Sequence, residues 1–128
     1  MDKQHIAGES PFESVYGFSR AVRVGKTIYV SGTGAIGRDG KVAHPGDAYA
    51  QTIDVFKKIE TVLKEAGASL ADVVRTRVFC SEIRDFEAIT RAHGELFGAI
   101  RPAATLVEVS GFVLPEMLVE IEVDAEIS

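Results

Sequence analysis

The clearest chemical pattern in the chain is a row of carboxylates in its last strand-like segment, residues 118–126. Glu120, Glu122 and Asp124 alternate there with four apolar residues, Val119, Ile121, Val123 and Ala125. A period of two puts the acidic and the apolar side chains on opposite faces of a sheet. Carboxylates can pair with basic groups or take part in proton transfer. We therefore expect the acidic face, and Glu120 in particular, to be the place where function and subunit contact meet.

The other reactive side chains form no recognisable metal site or nucleophilic pair. His5, His44 and His93 lack the spacing of metal ligands, and His93 lies in an apolar helical pattern that favours packing. Cys80, the single cysteine, ends a predicted strand and is expected to be a small buried side chain. A Cys–His catalytic pair is therefore not predicted, and we expect no metal.

Composition narrows the possible classes of protein. The 128 residues suffice for one domain with a substantial core. The net charge of −5 and the scattered basic residues argue against nucleic-acid binding, which needs clustered Lys and Arg. One cysteine forms no internal disulfide and suits a reducing compartment. Because there is neither a membrane-length apolar run nor a signal-peptide pattern, we expect a cytoplasmic protein with no membrane partner.

The elements that position these residues are predicted in the order β-β-α-β-α-β-β, within a single domain of residues 1–128. Strands are expected at residues 18–24, 27–32 and 72–80, and twice between 101 and 128, where a turn joins two strands. Helices are expected from an N-cap at Asp47 to Gly67 and from Asp85 to Gly98. Residues 1–12 are expected to form a flexible arm.

This order predicts an α+β fold with a mixed sheet and both helices on one face. Strand–helix–strand units favour parallel neighbours, whereas the terminal hairpins are antiparallel. On the strand at 72–80, Val73, Arg75, Arg77 and Phe79 would share the open face beside the acidic row. A half-apolar open face usually meets a partner, and symmetric self-association is the commonest solution. Arg–Glu pairs across such a seam and solvated surface pairs are both consistent with this pattern.

Several segments together resemble the Rid family, also called the YjgF/YER057c/UK114 family and labelled endoribonuclease L-PSP. They are VGKTIYVSG, GASLADVVRTRVF, RPAATLVEV and LVEIE, and they occur in the family's order. The resemblance covers residues 18–127. It implies a chorismate-mutase-like subunit and a homotrimer. The three sheets would form an inner barrel, with a small-molecule cleft between each pair of subunits.

The resemblance also implies a chemistry, the hydrolysis of reactive imines and enamines such as 2-aminoacrylate to a keto acid and ammonia, without a cofactor. In active members an arginine at the third place of a P-A-R-[ST] motif grips the substrate carboxylate. Here that motif reads Pro102-Ala103-Ala104-Thr105, so the arginine is missing. Glu120 corresponds to the glutamate that handles the hydrolytic water in the family.

Some of the other positions match the family pattern, and some depart from it. Ser31-Gly32, Glu108 and Glu120 match it, whereas Phe18 replaces a tyrosine, Thr90 an asparagine and Leu106 a cysteine. We interpret Glu108 as a structural partner for an arginine. The resulting candidate site has Glu120 as the catalytic residue, and its ligand-binding residues are Phe18, Ser31, Gly32, Thr33, Thr90, Ala104, Thr105 and Leu106.

These residues bear on three possible functions. The first is a cofactor-independent imine or enamine deaminase, whose activity on 2-aminoacrylate is in doubt because Ala104 offers no charge. The second is a protein of the same fold that binds a small metabolite without converting it, since Phe18, Ala104 and Leu106 make the cleft more apolar. The third is a ribonuclease, which the acidic charge and the lack of a basic patch disfavour.

Overall fold

Over residues 2–128, which the computed structural model describes, the chain forms six strands, three α-helices and two short 3₁₀ turns. The strands are β1 (Lys3–Ile6), β2 (Ala21–Val24), β3 (Thr27–Thr33), β4 (Val73–Cys80), β5 (Ala103–Glu108) and β6 (Val119–Glu126). The helices are α1 (Phe12–Tyr16), α2 (Ala48–Glu65) and α3 (Phe86–Phe97). No helix in this part of the chain is both long and apolar enough to cross a membrane.

One mixed sheet contains all six strands, in the order β1-β2-β3-β6-β4-β5. The β4–β5 pair is parallel and every other pair is antiparallel. The mixed α+β sheet predicted from the sequence is therefore confirmed, but a hairpin between the last two strands is wrong. β6 crosses back to lie between β3 and β4, where both of its edges find hydrogen-bonding partners. β5 is left at the edge of the sheet.

The alternation of β6 explains its central position. Val119, Ile121, Val123 and Ala125 are fully buried, and they lie against the same core cluster as α2 and α3. Burying each large apolar side chain contributes roughly 1.5–3 kcal/mol. The acidic residues between them are only partly buried on the opposite face, as predicted.

The long helix α2 begins and ends where the sequence predicts. The Asp47 side chain caps it by accepting a hydrogen bond from the Ala50 amide at 3.0 Å. Gly67 adopts a φ of +90°, which favours glycine after a helix. Val55, Phe56 and Ile59 bury the face directed at the sheet.

His93 and Cys80 have the structural roles expected of them. The His93 ring packs beside Phe97, its Nε2 shares a 2.9 Å hydrogen bond with Thr76 Oγ1, and burial lowers its pKa. Cys80 is fully buried, and this burial raises the pKa of its thiol. Neither residue is placed for catalysis.

The N-terminal segment departs from the predicted flexible arm, residues 1–12, of which Met1 lies outside the described residues. Lys3–Ile6 instead forms strand β1, paired with β2 from Lys3↔Val24 to Ile6↔Ala21. Only Ile6 is buried, so the short segment carries almost no apolar signal. The strand predicted at 18–24 begins at Ala21, and Phe18 lies in the connection that precedes it.

A β-bulge changes the pattern at the start of β4. The register with β6 shifts between Val73 and Arg75, so Val73 is buried and Val74 is 45% exposed, the reverse of the prediction. From Thr76 onward the predicted faces hold. Arg77 pairs with Glu122 at 3.3 Å and with Asp124 at 3.1 Å within the chain. These pairs are partly exposed and contribute little to stability.

Candidate active site

A second β-bulge, in β3, shapes the site. Val30 lies opposite Val123 and Thr33 opposite Ile121, so Ser31 and Gly32 together face one residue of β6. The extra residue turns the buried Thr33 inward, although simple alternation from Val30 would direct it outward. The bulge also brings the backbone of Gly32 against the side chain of Glu120.

Gly32 is needed for this close approach. A Cβ added to it would lie 2.9 Å from Oε1 and 3.0 Å from Cδ of Glu120. A Cβ contact this short requires one of the two groups to shift, and the carboxylate, at the free end of its side chain, is the group that can move. The family match at Ser31-Gly32 thus has a physical basis in the position of Glu120.

The environment of Glu120 favours the protonated form of its carboxyl group. Burial raises the pKa of Glu120, the positive charge of Arg20 opposes that rise, and Glu122 adds to it. A carboxylate whose pKa has moved towards neutrality is a better proton acceptor and remains able to return the proton. Glu120 is therefore suited to general acid–base chemistry.

Arg20 is the functional candidate that the sequence analysis missed. It is only 6% exposed, and its Nη1 donates to the Gly32 carbonyl at 2.5 Å and to Thr33 Oγ1 at 3.1 Å. Its Nε donates to Glu13 Oε2 at 3.4 Å. Its guanidinium carbon lies 5.1 Å from the centre of the Phe18 ring. The available signal was the spacing, since Arg20 follows the expected ligand-binding residue Phe18 by two positions.

These groups line a cavity of about 1100 Å³. Its polar part includes Arg20, Glu120, Glu122 and the Ser31–Thr33 bulge, to which Glu9 and Arg38 add charges, and α2 adds Asp54, Lys57 and Lys58. Apolar side chains line the remainder: Phe12, Tyr16, Phe18, Ile36, Val113 and Met117. Five of the residues predicted from the sequence are brought together here, namely Phe18, Ser31, Gly32, Thr33 and Glu120.

Within one chain, the other four predicted residues lie away from this cavity. The Thr90 hydroxyl donates to the Phe86 carbonyl of its own helix at 2.8 Å. Ala104 and Thr105 are exposed on the edge strand, and Leu106 packs against the core. β6 and β4 lie between β3 and β5, which separates these strands by about 14 Å. One chain therefore assembles only part of the predicted site.

Hydrogen bonds limit the roles of the remaining polar candidates. Ser31 Oγ donates to the Ser19 carbonyl at 2.7 Å, and Thr33 Oγ1 donates to the Ser31 carbonyl at 2.8 Å. Both hydroxyls stabilise the bulge and can still accept from a ligand. Glu108 has a structural partner, but this is the Ile83 amide at 2.8 Å and not the predicted arginine. Among residues 2–128 no cluster of His, Cys, Asp and Glu is arranged to hold a metal ion.

The family model described as endoribonuclease L-PSP matches residues 8–127. The chain belongs to this family. A 3-aminoacrylate deaminase, RutC of Acinetobacter baylyi, is 36% identical over 121 residues, which are 94% of this chain and 95% of that protein. An uncharacterized protein of Streptomyces coelicolor is 39% identical over 122 residues, 95% and 90% of the two chains.

Solved structures agree with this assignment. The crystal structure of a YjgF/YER057c/UK114 family member from Mycobacterium tuberculosis matches with a TM-score of 0.88 and 41% identity, covering 98% of this chain and 100% of that one. The YjgF product of Escherichia coli matches with a TM-score of 0.84 and 27% identity, covering 98% and 99%. The family membership and the fold that the sequence motifs predict are thus confirmed.

Proposed function

We propose that this protein is a cofactor-independent deaminase that hydrolyses reactive imines or enamines to carbonyl compounds and ammonia. The observation that carries the proposal is the partly buried carboxyl group of Glu120, held against Gly32 in a cavity, with a raised pKa. In balanced form, an imine R₂C=NH and water give R₂C=O and NH₃. An enamine first takes a proton on carbon and loses one from nitrogen, which gives the isomeric imine.

Glu120 has a role in each half of this reaction. As the carboxylate it accepts a proton from the attacking water, so that the oxygen adds to the imine carbon. As the carboxylic acid it returns that proton to the nitrogen, which gives the carbinolamine R₂C(OH)NH₂. It then accepts the hydroxyl proton and delivers it to the same nitrogen, and the C–N bond breaks to give R₂C=O and NH₃. Burial raises the pKa of Glu120, which makes its carboxylate a stronger proton acceptor for the first of these steps.

We further propose that the site is completed by a neighbouring subunit of a homotrimer whose sheets form an inner barrel. The edge strand of that subunit would bring Ala104, Thr105 and Leu106 to the cavity, and its helix α3 would bring Thr90. Two observations support this: these residues lie away from the cavity of their own chain, and Tyr29 and Val107 expose apolar surface on the sheet.

The name of one relative supports an enamine as substrate, because RutC is named a 3-aminoacrylate deaminase. The missing arginine at Ala104 means that a carboxylate, if the substrate has one, is held by another group. A cytoplasmic location suits this chemistry and the buried free thiol of Cys80.

The test is ammonia release from enzymatically generated 2-aminoacrylate, 3-aminoacrylate and neutral imines. We expect release faster than in buffer alone for at least one of them, and loss of that acceleration in Glu120→Gln. Glu126→Gln is the matched control, because Glu126 is an exposed residue at the end of the same strand. If the protein accelerates ammonia release from none of these substrates, the proposed enzymatic function is wrong.

The second candidate is binding without conversion. It is favoured by the apolar part of the cavity wall and by the hydroxyls of Ser31 and Thr33, which already donate to the backbone. Saturable thermal shifts with small carbonyl or aromatic acids, without any turnover of the related imines, would establish it. A ribonuclease is disfavoured by the net charge of −5, and RNA cleavage retained by purified Glu120→Gln would contradict both candidates.

A further inference from the structure

We infer that Arg20 binds the carboxylate of a short imino or enamino acid in this cavity, in place of the arginine that is missing at Ala104. This rests on the proposed use of the cavity as the substrate site, but it concerns recognition and not turnover. Arg20 belongs to the connection before β2, whereas Ala104 lies on the edge strand at the far side of the sheet.

The hydrogen bonds of Arg20 leave one edge of the guanidinium available. Glu13 accepts from Nε, and Gly32 and Thr33 accept from Nη1. Nη2 makes no hydrogen bond to any of residues 2–128, and the residue lines the cavity. The bonds at the other two nitrogens hold the plane of the group in place, so that little freedom is lost when an anion binds.

The other cations of the cavity are less suited to this role. Arg38 has a side chain that is 83% exposed, and it pairs with Glu9 at 3.5 Å. Lys58 is shared between Glu9 at 3.4 Å and Asp54 at 3.8 Å. Lys57, the third of these cations, is exposed. Water screens Arg38 and Lys57, and Lys58 is already shared between two carboxylates, so all three are weaker selectors of a ligand. Arg20 is the buried member of the set.

Gly32 lies next to both Arg20 and Glu120, so the distance between these two groups suits a short ligand. Its carbonyl oxygen accepts from Arg20 Nη1, and its Cα faces the carboxyl group of Glu120. Both functional groups thus lie next to the same residue, and Arg20 is close enough to Glu120 for its positive charge to oppose the rise in the pKa of that carboxyl group. In a short imino acid the carboxylate and the imine carbon are adjacent or one carbon apart, so one molecule can reach both groups.

The test compares two ligands of nearly equal shape, pyruvate and its neutral amide, by calorimetry on the purified protein. We expect the wild type to bind the acid at least about tenfold more tightly than the amide. Arg20→Gln should remove this preference by weakening the acid alone, and Arg20→Lys should retain part of it. Equal affinity of the wild type for the two ligands would overturn the inference without any variant.

Two further variants distinguish the contribution of Arg20 to acid binding from the contributions of nearby charged residues. Glu13→Gln keeps the guanidinium and removes the charge that competes with the ligand, so it should strengthen acid binding several-fold. If Arg20→Gln does not fold, Glu13→Gln still tests the inference. Unchanged acid affinity in Glu13→Gln, or a preference that is lost in Arg38→Gln and kept in Arg20→Gln, would contradict the assignment.

The same measurements distinguish this inference from the proposed function. Selective binding of the acid without hydrolysis of any imine would support Arg20 as the group that binds the carboxylate and would contradict the proposed deaminase activity. Hydrolysis of neutral imines without a preference for the acid would support the deaminase and overturn the role of Arg20.

Discussion

On one side of the molecule, β3, β6 and the segment before β2 line a cavity (the closed end), whereas at the opposite edge of the sheet strand β5 is exposed (the open end). The first end holds Arg20 and Glu120 in fixed positions, through a bulge at Gly32 and buried hydrogen bonds. The second end leaves Ala104 and Thr105 exposed and outside this cavity. Under the proposed function, one chain therefore supplies Arg20 and Glu120, and a second chain would supply the remaining wall of the site.

The largest effect is expected at the closed end, from Glu120→Gln. Removing the general acid–base should lower kcat/KM for the best imine substrate by about 10²–10⁴-fold. Steady-state ammonia release measures it, with Glu126→Gln as the control on the same strand. Activity retained within a factor of two would show that the reaction occurs elsewhere in the molecule.

The pH dependence should carry the signature of the same carboxyl group. Burial raises the pKa of Glu120. As the pH is lowered, activity should therefore be lost at a higher pH than it would be with an exposed glutamate as the catalytic base. The folded protein also binds this proton more tightly than the unfolded chain. The stability that Glu120 contributes is therefore present below its unfolded pKa and lost as pH rises through its folded pKa.

Glu120→Gln should accordingly stabilise the protein more at pH 8 than at pH 4. Urea unfolding of both proteins at the two pH values measures this. An equal change in the free energy of unfolding at both values would mean that the carboxyl group has an ordinary pKa.

A smaller effect at the closed end is expected from Gly32→Ala. The new methyl group must displace the Glu120 carboxylate, since their separation would be 2.9 Å. Misplacement of a catalytic group by about 1 Å lowers kcat by roughly 10- to 100-fold. Gly111→Ala is the control, because a Cβ there meets no atom within 4 Å. Equal kinetics in the two variants would show that the contact has no catalytic value.

The smallest effect is expected at the open end, from Ala104→Arg. A guanidinium restored at this position should tighten binding of acidic substrates by about tenfold and leave neutral imines unchanged. Ala103→Arg is the matched control, since the adjacent residue of a strand faces the other way. A gain in both variants, or in neither, would place the cleft away from Ala104.

Much of the closed end could be predicted from the sequence, because it depends on local patterns. The alternation of β6 placed Glu120 on the open face, and the N-cap and final glycine of α2 set its bounds. What alternation does not encode is which strand lies beside which, and so the position of β6 between β3 and β4 was missed. Strand β1 was missed because only Ile6 of its four residues is buried.

Arg20 was missed for a related reason. Its role depends on the irregular connection before β2 and on a bulge in β3 that supplies its acceptors. Neither feature leaves a periodic signal in the sequence. The motif that resembles the family lies at Ala104, on the edge strand, whereas the fold brings the charge of Arg20 close to Glu120.

The most direct test of a shared site is the activity of mixed oligomers. Glu120→Gln removes the reactive group, and Ala104→Trp blocks the open end, so each variant alone should be inactive. When the two are co-expressed, clefts that combine an intact Glu120 from one chain with an intact β5 from another should restore about a quarter of wild-type activity. Mixed oligomers that form but remain inactive would show that each site lies within a single chain, contrary to this account.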